Sequence, residues 1–126
     1  MAPLLLMTLL LLQPRESALE GEWVVEIVDN IKVMPESRVT ITFSGTRVLG
    51  LASCNSYTGT YRVADDSMKF ESLLTTMKAC DQSRMSQERD FLGVLRAVSQ
   101  YEIASGGVLT LRTAAGKAIT ARRAPK

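Results

Sequence analysis

Apolar and polar residues alternate along several short segments of the chain, with the period of two that is typical of half-buried β-strands. These segments are residues 22–28, 38–44, 47–53, 57–63 and 68–71, followed after a gap by residues 100–104, 108–113 and 119–122. Turn sequences such as Ser44-Gly45-Thr46 and Ser105-Gly106-Gly107 separate neighbouring segments. The pattern therefore predicts a chain made mainly of short strands joined by tight turns.

The period changes once, between the two groups of strands. Apolar positions there recur at steps of three and four, which is typical of an amphipathic helix over about residues 82–98. The positions concerned are Met85, Glu88, Phe91, Leu92, Leu95 and Val98. Either Asp81 or Ser83 can cap the first turn of this helix.

Strands and helices do not alternate along the chain, which argues against a parallel doubly wound sheet. We expect an α+β fold, in which an antiparallel sheet of about 7–8 strands curls into a small barrel or cone and the helix covers an open end. The expected bulky inward side chains are those of Trp23, Phe43, Leu49, Tyr61 and Tyr101, with Leu51 pointing inward beside Leu49.

Composition narrows the possible functions. The 126 residues fit one domain, and 15 basic against 13 acidic residues give a net charge of +2, too balanced for a nucleic-acid-binding surface. The chain has no histidine, so it lacks the commonest general base and the commonest metal ligand. We expect no metal, no cofactor and no enzymatic activity. Arg122, Arg123 and Lys126 form the densest basic group, which we interpret as a solvated tail.

Residues 1–18 differ from the rest of the chain. Residues 2–12 are almost wholly apolar, a run too short to span a bilayer but suited to the core of a secretory signal peptide, with Ala18 as the last residue before a cut. A buried N-terminal helix is the alternative interpretation. With the signal peptide, residues 19–126 form the mature domain, in the periplasm or outside the cell and without an integral membrane span.

Cys54 and Cys80 are the only two cysteines, and each follows or precedes a predicted strand. They do not form a C-x-x-C motif, and no further cysteine or histidine is present to complete a zinc site. A structural disulfide is favoured over a redox pair, and it agrees with an oxidising compartment. Closing a loop of this length should contribute about 3 kcal/mol to stability.

The segment around the first cysteine resembles the signature of the META domain, the HslJ-like family of bacterial heat-shock proteins. The matching residues there are Gly50, Cys54, Asn55, Tyr57, Gly59 and Tyr61. Further matches are Thr76, Met77 and Cys80, and, in the predicted helix, Glu88, Phe91 and Leu95. The resemblance implies a small α+β barrel, exported or associated with the bacterial envelope and linked to heat shock, and it names no reaction. No lipobox cysteine is present, so lipoprotein anchoring is not supported.

Several of these residues have more than one interpretation. For Asn55 we favour a structural turn, because asparagine tolerates left-handed backbone and bonds nearby main chain. Gly59 indicates a bulge, or an aromatic ring packed over bare backbone. Tyr57 and Tyr61 share one face and fit core aromatics with satisfied hydroxyls better than a ligand pocket.

Two groups of charged residues also have competing interpretations, as functional sites or as solvated surface. Asp65 and Asp66 are adjacent acids that fit a solvated turn and not a catalytic carboxylate pair. Arg84, Arg89 and Arg96 fit a solvated helix face paired with Asp90 and Glu88, and the alternative is a surface for an acidic partner or for lipid head groups.

Three functions remain open. The favoured hypothesis is a monomeric, non-catalytic envelope module that binds an unknown protein partner or hydrophobic ligand in stress tolerance. The second is a carrier that holds a small apolar ligand or lipid inside the barrel, which large inward side chains disfavour. The third is a periplasmic protease inhibitor, for which residues 29–37 are the candidate loop. No nucleic acid is expected as a partner.

Overall fold

The computed structural model of the protein describes residues 18–125. Within this range the chain forms nine strands and a helix of 15 residues. The strands are β1 (Gly21–Val28), β2 (Ile31–Lys32), β3 (Thr40–Ser44), β4 (Arg47–Leu51), β5 (Ser56–Ala64), β6 (Ser67–Thr75), β7 (Val98–Ala104), β8 (Val108–Thr113) and β9 (Ala118–Arg123). The helix α1 (Gln82–Arg96) lies between β6 and β7.

Eight of these strands form a closed antiparallel barrel in the order β1-β3-β4-β5-β6-β7-β8-β9, and β9 pairs back onto β1. The short strand β2 pairs only with the end of β1. The predicted α+β barrel of 7–8 strands with a single covering helix is therefore confirmed for the described residues. Closure matters because it removes the exposed sheet edges that invite unwanted pairing.

The hairpin between β1 and β2 was not expected, because the sequence indicated a loop after Asp29-Asn30. Both residues have positive φ, 46° and 69°, as the central residues of a type I′ turn require. The register of β1 against β9 also shifts between Val25 and Ile27. This irregularity turns Val28 into the core and leaves Ile27 only partly buried, which corrects the simple alternation predicted for β1.

Strand β6 extends to nine residues, well beyond the predicted residues 68–71. It contains a bulge at Ser72, which has a φ of 55°, opposite Gly59 of β5. A Cβ atom on Gly59 would lie 2.6 Å from Leu73 Cδ2 and 2.9 Å from the Glu71 carbonyl oxygen. The bulge interpretation of Gly59 is confirmed, and the bulge explains why the period-two pattern was lost in this part of the sequence.

The prediction for β4 was wrong in its choice of face. Val48 is fully buried, whereas Leu49 and Leu51 are 40% and 46% exposed on the outside of the barrel. Residues 48–52 are all apolar or glycine, so their alternation does not distinguish the two faces. The inward position between the leucines belongs to Gly50, where an added Cβ would lie 2.2 Å from the Thr40 carbonyl oxygen.

The helix closes one end of the barrel, as predicted. Asp81 caps it by accepting a bond from the Arg84 amide at 3.3 Å, and it ends at Arg96, two residues before the predicted end at Val98, which lies in β7. The helix packs against β6 on one side of the barrel and against the paired strands β1 and β9, and Phe91 contacts Tyr57 with ring centroids 5.7 Å apart. The buried helix residues are Glu88, Phe91, Leu92, Val94 and Leu95.

Two of the C-terminal basic residues, Arg122 and Arg123, are part of the barrel and not of a solvated tail. Arg122 forms an ion pair with Glu26 at 3.0 Å, and the Arg123 guanidinium lies 4.3 Å from the Trp23 ring centroid. Arg123 also donates to the carbonyl oxygens of Ala18 and Glu20. Both arginines lie in β9, whose pairing with β1 brings these groups together.

Residues 1–17 and Lys126 lie outside the described residues, so the predicted signal peptide over residues 1–18, apart from Ala18, and its alternative as an N-terminal helix stay predictions. The described part begins at Ala18, and Leu19 is already fully buried, with its carbonyl oxygen accepting a bond from Trp23 Nε1 at 2.8 Å. Within residues 18–125, no helix has the length and apolar character needed to cross a membrane.

Candidate functional site: a buried polar junction beside an exposed apolar surface

A disulfide joins Cys54 and Cys80, as predicted, with the Cα atoms 6.0 Å apart. It connects the segment between β4 and β5 to the loop that leads from β6 into α1. The cross-link holds these two segments together at the end of the barrel where the helix lies.

Glu88 lies beneath the disulfide and is 6% exposed, although the sequence suggested a surface ion pair with the helix arginines. Its Oε1 accepts bonds from the amides of Cys54 (3.1 Å) and Asn55 (2.6 Å). Its Oε2 accepts a bond from Asn55 Nδ2 at 2.7 Å. Arg84 pairs with Asp81 instead, at 3.4 Å. The carboxylate therefore fixes the position of the cysteine segment on the helix.

Asn55 connects three segments, which corrects its interpretation as a local turn residue. Its Oδ1 accepts bonds from Thr76 Oγ1 (2.8 Å) and the Lys78 amide (2.6 Å), while its Nδ2 donates to Glu88 and, at 3.3 Å, to the Lys78 carbonyl oxygen. The left-handed backbone in this segment belongs to Ser53, with a φ of 108°. Asn55 thus uses both ends of its amide to bind the loop after β6 to the helix.

A second set of polar contacts lies next to the first and begins at Gln87, which the sequence placed in water. Gln87 Oε1 accepts a bond from the Met34 amide at 2.8 Å, and its Nε2 donates to the Ser37 carbonyl oxygen (3.1 Å) and to Ser53 Oγ (3.0 Å). The hydroxyls of Ser37 and Ser53 are 2.5 Å apart. Consecutive helix residues therefore hold the loop before β3 and the turn after β4.

The tyrosines of the motif lie in the core and not in a ligand pocket. Tyr57 is 1% exposed and donates its hydroxyl hydrogen to the Thr40 carbonyl oxygen at 2.7 Å. Burial raises the pKa of this hydroxyl above its ordinary value. Tyr61 packs edge-on against Phe43, with ring centroids 4.8 Å apart. Together with Phe70 and Phe91, these rings fill the space inside the barrel.

The paired acids lie where the sequence pattern placed them. Asp65 and Asp66 make the turn between β5 and β6, as expected. Within residues 18–125, no three or more histidine, cysteine, aspartate or glutamate side chains are grouped so that they could hold a metal ion. The next feature of the described residues lies on the outer surface of the barrel.

Next to the buried junction, exposed apolar side chains lie on β4, on β6 and in the loop that follows β6. We call this the Leu-Met surface, and its members are Leu49, Leu51, Leu74 and Met77. The register places Leu49 opposite Thr58, and Thr58 opposite Leu74, so the two leucines share one row across three strands. Leu74 is 71% exposed and Met77 is 94% exposed. Sequence reasoning missed this surface because it assigned the β4 leucines to the core.

Met77 differs from the other motif residues. The junction contains five motif residues, which are Cys54, Asn55, Thr76, Cys80 and Glu88, and the remaining ones apart from Met77 lie in the barrel or on the packed face of the helix. The Met77 side chain projects into solvent between two residues that the junction holds, Thr76 and Lys78. The junction thus positions an exposed apolar side chain, while a functional role for the motif residues remains a prediction.

A comparison with protein-family profiles matches residues 16–126 to the META domain. The chain belongs to the META domain family. A protein from Burkholderia xenovorans, solved by NMR, has the same fold with a TM-score of 0.72 and 21% identity, over 88% of this chain and 87% of that chain. A DUF4847 family protein from Bacteroides vulgatus has a TM-score of 0.64 and 14% identity, over 89% and 98% of the two chains. A comparison with curated proteins gives no match.

Proposed function

We propose that this META domain is a non-catalytic module, exported to the cell envelope, that acts by binding a protein partner and contributes to stress tolerance there. The observation that carries the proposal is the Leu-Met surface. Exposed apolar groups are common one at a time, but several of them grouped on one side of a small domain indicate an interaction surface. Leu49 and Leu74 lie in one row on either side of Thr58, and Leu51 at the end of β4 and Met77 just after β6 add two more exposed apolar side chains.

The rigidity of this surface supports the proposal. Met77 stands between two residues bound by Asn55, and the Cys54–Cys80 disulfide follows three residues later. A segment whose main chain is held in place before binding loses less conformational entropy when a partner covers it. The buried junction would therefore increase the affinity of the Leu-Met surface for its partner, although the junction residues themselves do not contact that partner.

A carrier of a small apolar ligand is the second candidate. The barrel interior is filled by Trp23, Phe43, Tyr57 and Tyr61 and does not favour it. The favourable observation lies outside the barrel, where the segment after β2 and strand β1 line an open groove of about 740 Å³. Its apolar walls include Val24, Ile27, Val33, Met34 and Pro35. Such a volume is in the range that small-molecule sites occupy.

The third candidate, a protease inhibitor, receives less support. Inhibition would require residues 29–37 to protrude as a rigid loop. Instead Met34 and Ser37 are bonded to Gln87 of the helix, and Val33 donates to the Glu26 carbonyl oxygen at 2.9 Å. Residues 33–37 therefore lie against the domain, where their backbone is poorly placed to enter a protease cleft.

Site-specific photo-cross-linking in the native envelope tests the proposal. A benzoyl-phenylalanine at position 74 should give a discrete adduct with one partner, and the adduct should disappear when Leu49→Ser and Met77→Ser are added. Position 31 is the matched control, because Ile31 is 66% exposed but lies on β2, away from the surface. Equal adducts from both positions, or none from position 74, would contradict the proposal.

A further inference from the structure

Met77 is the most exposed methionine among the described residues. It is 94% exposed, whereas Met68 is 2% exposed in the barrel core and Met34 and Met85 are partly buried. The other methionines of the sequence lie outside the described residues. Because an oxidant must reach the sulfur atom, exposure decides which methionine reacts first. Within residues 18–125, Met77 is therefore the methionine that is most open to oxidation.

The side chains that usually compete with methionine for an oxidant are shielded in this protein. A free thiolate is the ordinary target, but both cysteines of the chain are joined in the Cys54–Cys80 disulfide. Trp23 is the sole tryptophan of the chain and is 1% exposed. An oxidant that reaches this domain thus finds the thioether of Met77 as its most accessible target.

Met77 is also a member of the Leu-Met surface, beside the exposed leucines of β4 and β6. Oxidation to the sulfoxide converts a flexible apolar side chain into a polar one and disrupts interfaces that contain methionine. One oxygen atom added at Met77 therefore makes this surface less apolar.

The fold does not depend on the Met77 side chain, because the bonds around it belong to its neighbours. Thr76 Oγ1 and the Lys78 amide both donate to Asn55 Oδ1, at 2.8 Å and 2.6 Å. The disulfide at Cys80 holds the same segment to the barrel. Oxidation of Met77 thus changes the chemistry of the surface and leaves in place the main chain that presents it.

We infer that Met77 is an oxidation site, at which a peroxide converts the thioether to a sulfoxide and thereby weakens the binding of a partner to the Leu-Met surface. The effect on the partner rests on the proposed function, whereas the oxidation site does not. With hydrogen peroxide, a lone pair of the sulfur attacks one oxygen and the O–O bond breaks. The proton of the transferred oxygen moves to the departing hydroxide, which leaves as water.

The sulfur of Met77 loses a pair of electrons in this step, and the peroxide gains them. The product is reversible, because methionine sulfoxide reductases return the sulfoxide to the thioether. A dithiol supplies the electrons for that reduction, becomes a disulfide, and the oxygen leaves as water. The site can therefore pass between an apolar and a polar state without any change in the chain itself.

Peptide mapping by mass spectrometry, after treatment with dilute hydrogen peroxide, tests the site. Met77 should form the sulfoxide about tenfold faster than the buried Met68, with Met34 and Met85 in between. Thermal unfolding of the protein oxidised at Met77 should match that of the untreated protein. Similar rates at all of these methionines, or a melting temperature that falls as the Met77 sulfoxide forms, would overturn the inference.

Hydrophobic-interaction chromatography measures the surface itself and needs no partner. Peroxide should shorten the retention of the unsubstituted protein and of Met34→Leu, a control that removes a partly buried methionine after β2. It should leave the retention of Met77→Leu unchanged, because leucine keeps the apolar area and has no sulfur to oxidise. Met77→Gln should elute early without peroxide. An equal response of Met77→Leu and the unsubstituted protein to peroxide would contradict the inference.

The cross-link from position 74 measures the effect on the partner. In the native envelope, peroxide should remove the adduct of the otherwise unsubstituted protein and leave the adduct of Met77→Leu in place. Loss of both adducts, or of neither, would overturn the inference. Failure of the proposed function would differ, because the adduct would then be absent before any peroxide is added, and the peptide map and the chromatography would still decide the oxidation site.

Discussion

The carboxylate of Glu88 lies 2.7 Å from the side-chain nitrogen of Asn55 and 2.6 Å from its main-chain nitrogen, so a helix residue binds one asparagine at two points. A buried carboxylate is costly unless hydrogen-bond donors surround it. Here three donors converge on Glu88, and Asn55 in turn binds the loop after β6. The polar groups of the junction therefore satisfy one another's hydrogen bonds. Removing one of these residues leaves its partners without those hydrogen bonds.

Replacement of Glu88 by alanine should lower the free energy of unfolding by about 3 kcal/mol, because the amides of Cys54 and Asn55 lose their acceptor inside the protein. Urea unfolding measures this change. Asp90→Ala, an exposed carboxylate on the same helix, is the control and should change stability by less than about 0.5 kcal/mol. Equal effects of the two substitutions would contradict the role assigned to Glu88.

Substitution of both cysteines by serine should lower the free energy of unfolding by about 3 kcal/mol, because the unfolded chain regains the freedom of a loop that spans 26 positions. Thermal unfolding of the oxidised protein and the double variant checks the size of the effect. A thiol titration of the denatured, unreduced protein provides the independent control, and it should find almost no free thiol. Two reactive thiols would be inconsistent with the cross-link.

Glycine-to-alanine substitutions should act in opposite directions at two positions. A Cβ on Gly50 would lie 2.2 Å from the Thr40 carbonyl oxygen, so Gly50→Ala should cost about 3 kcal/mol by forcing β3 and β4 apart. A Cβ on Gly93 has no neighbour within 4 Å, so Gly93→Ala should raise stability by about 0.5–1 kcal/mol through helix propensity. Chemical denaturation of the two variants side by side tests both signs.

Stability should fall as the pH rises above about 10, the ordinary pKa of a tyrosine. Burial raises the pKa of Tyr57 in the folded state, so between its unfolded and folded pKa values the unfolded protein releases a proton that the folded protein keeps. Unfolding free energies measured from pH 8 to pH 11 should show this loss. In Tyr57→Phe the loss should be smaller, although the variant starts about 1 kcal/mol lower because its bond to Thr40 is absent.

The face assignment of β4 predicts unequal costs for neighbouring substitutions. Val48→Ala should cost about 2 kcal/mol, because the side chain is fully buried and its removal leaves a cavity. Leu49→Ala removes a larger side chain but should cost less than about 1 kcal/mol, because that side chain is 40% exposed on the outer face. If Leu49→Ala cost more stability than Val48→Ala, Leu49 would point inward, as the sequence pattern suggested, and the face assignment would be wrong.

The elements that could be predicted from the sequence are the strands and the helix in which one face is apolar and the opposite face is polar. The alternation in β3 and β8 and the helical period around Phe91 and Leu95 gave the element types and the α+β barrel. The pattern failed in β4, where Val48 and Leu49 are both apolar, and at the Ser72 bulge, where an inserted residue resets the alternation. In these places the neighbouring strands determine which side chain points inward.

The candidate site was harder to predict, for a different reason. The two cysteines could be paired because no other partner exists in the chain, and the family resemblance identified Asn55 and Glu88 as motif residues. Their mutual contact is a property of the folded chain, because 33 positions separate them. A glutamate at an apolar position of the helical repeat was the available signal, and it indicates a buried carboxylate that needs donors.

Trp23 stands opposite Arg123 in the pairing of the first and last long strands. The final seam of the barrel therefore cannot form until the ribosome has released β9, long after β1, and contacts between such distant positions form slowly. Until β9 emerges, the nascent barrel is unclosed and the edge of β1 that faces β9 has no partner strand.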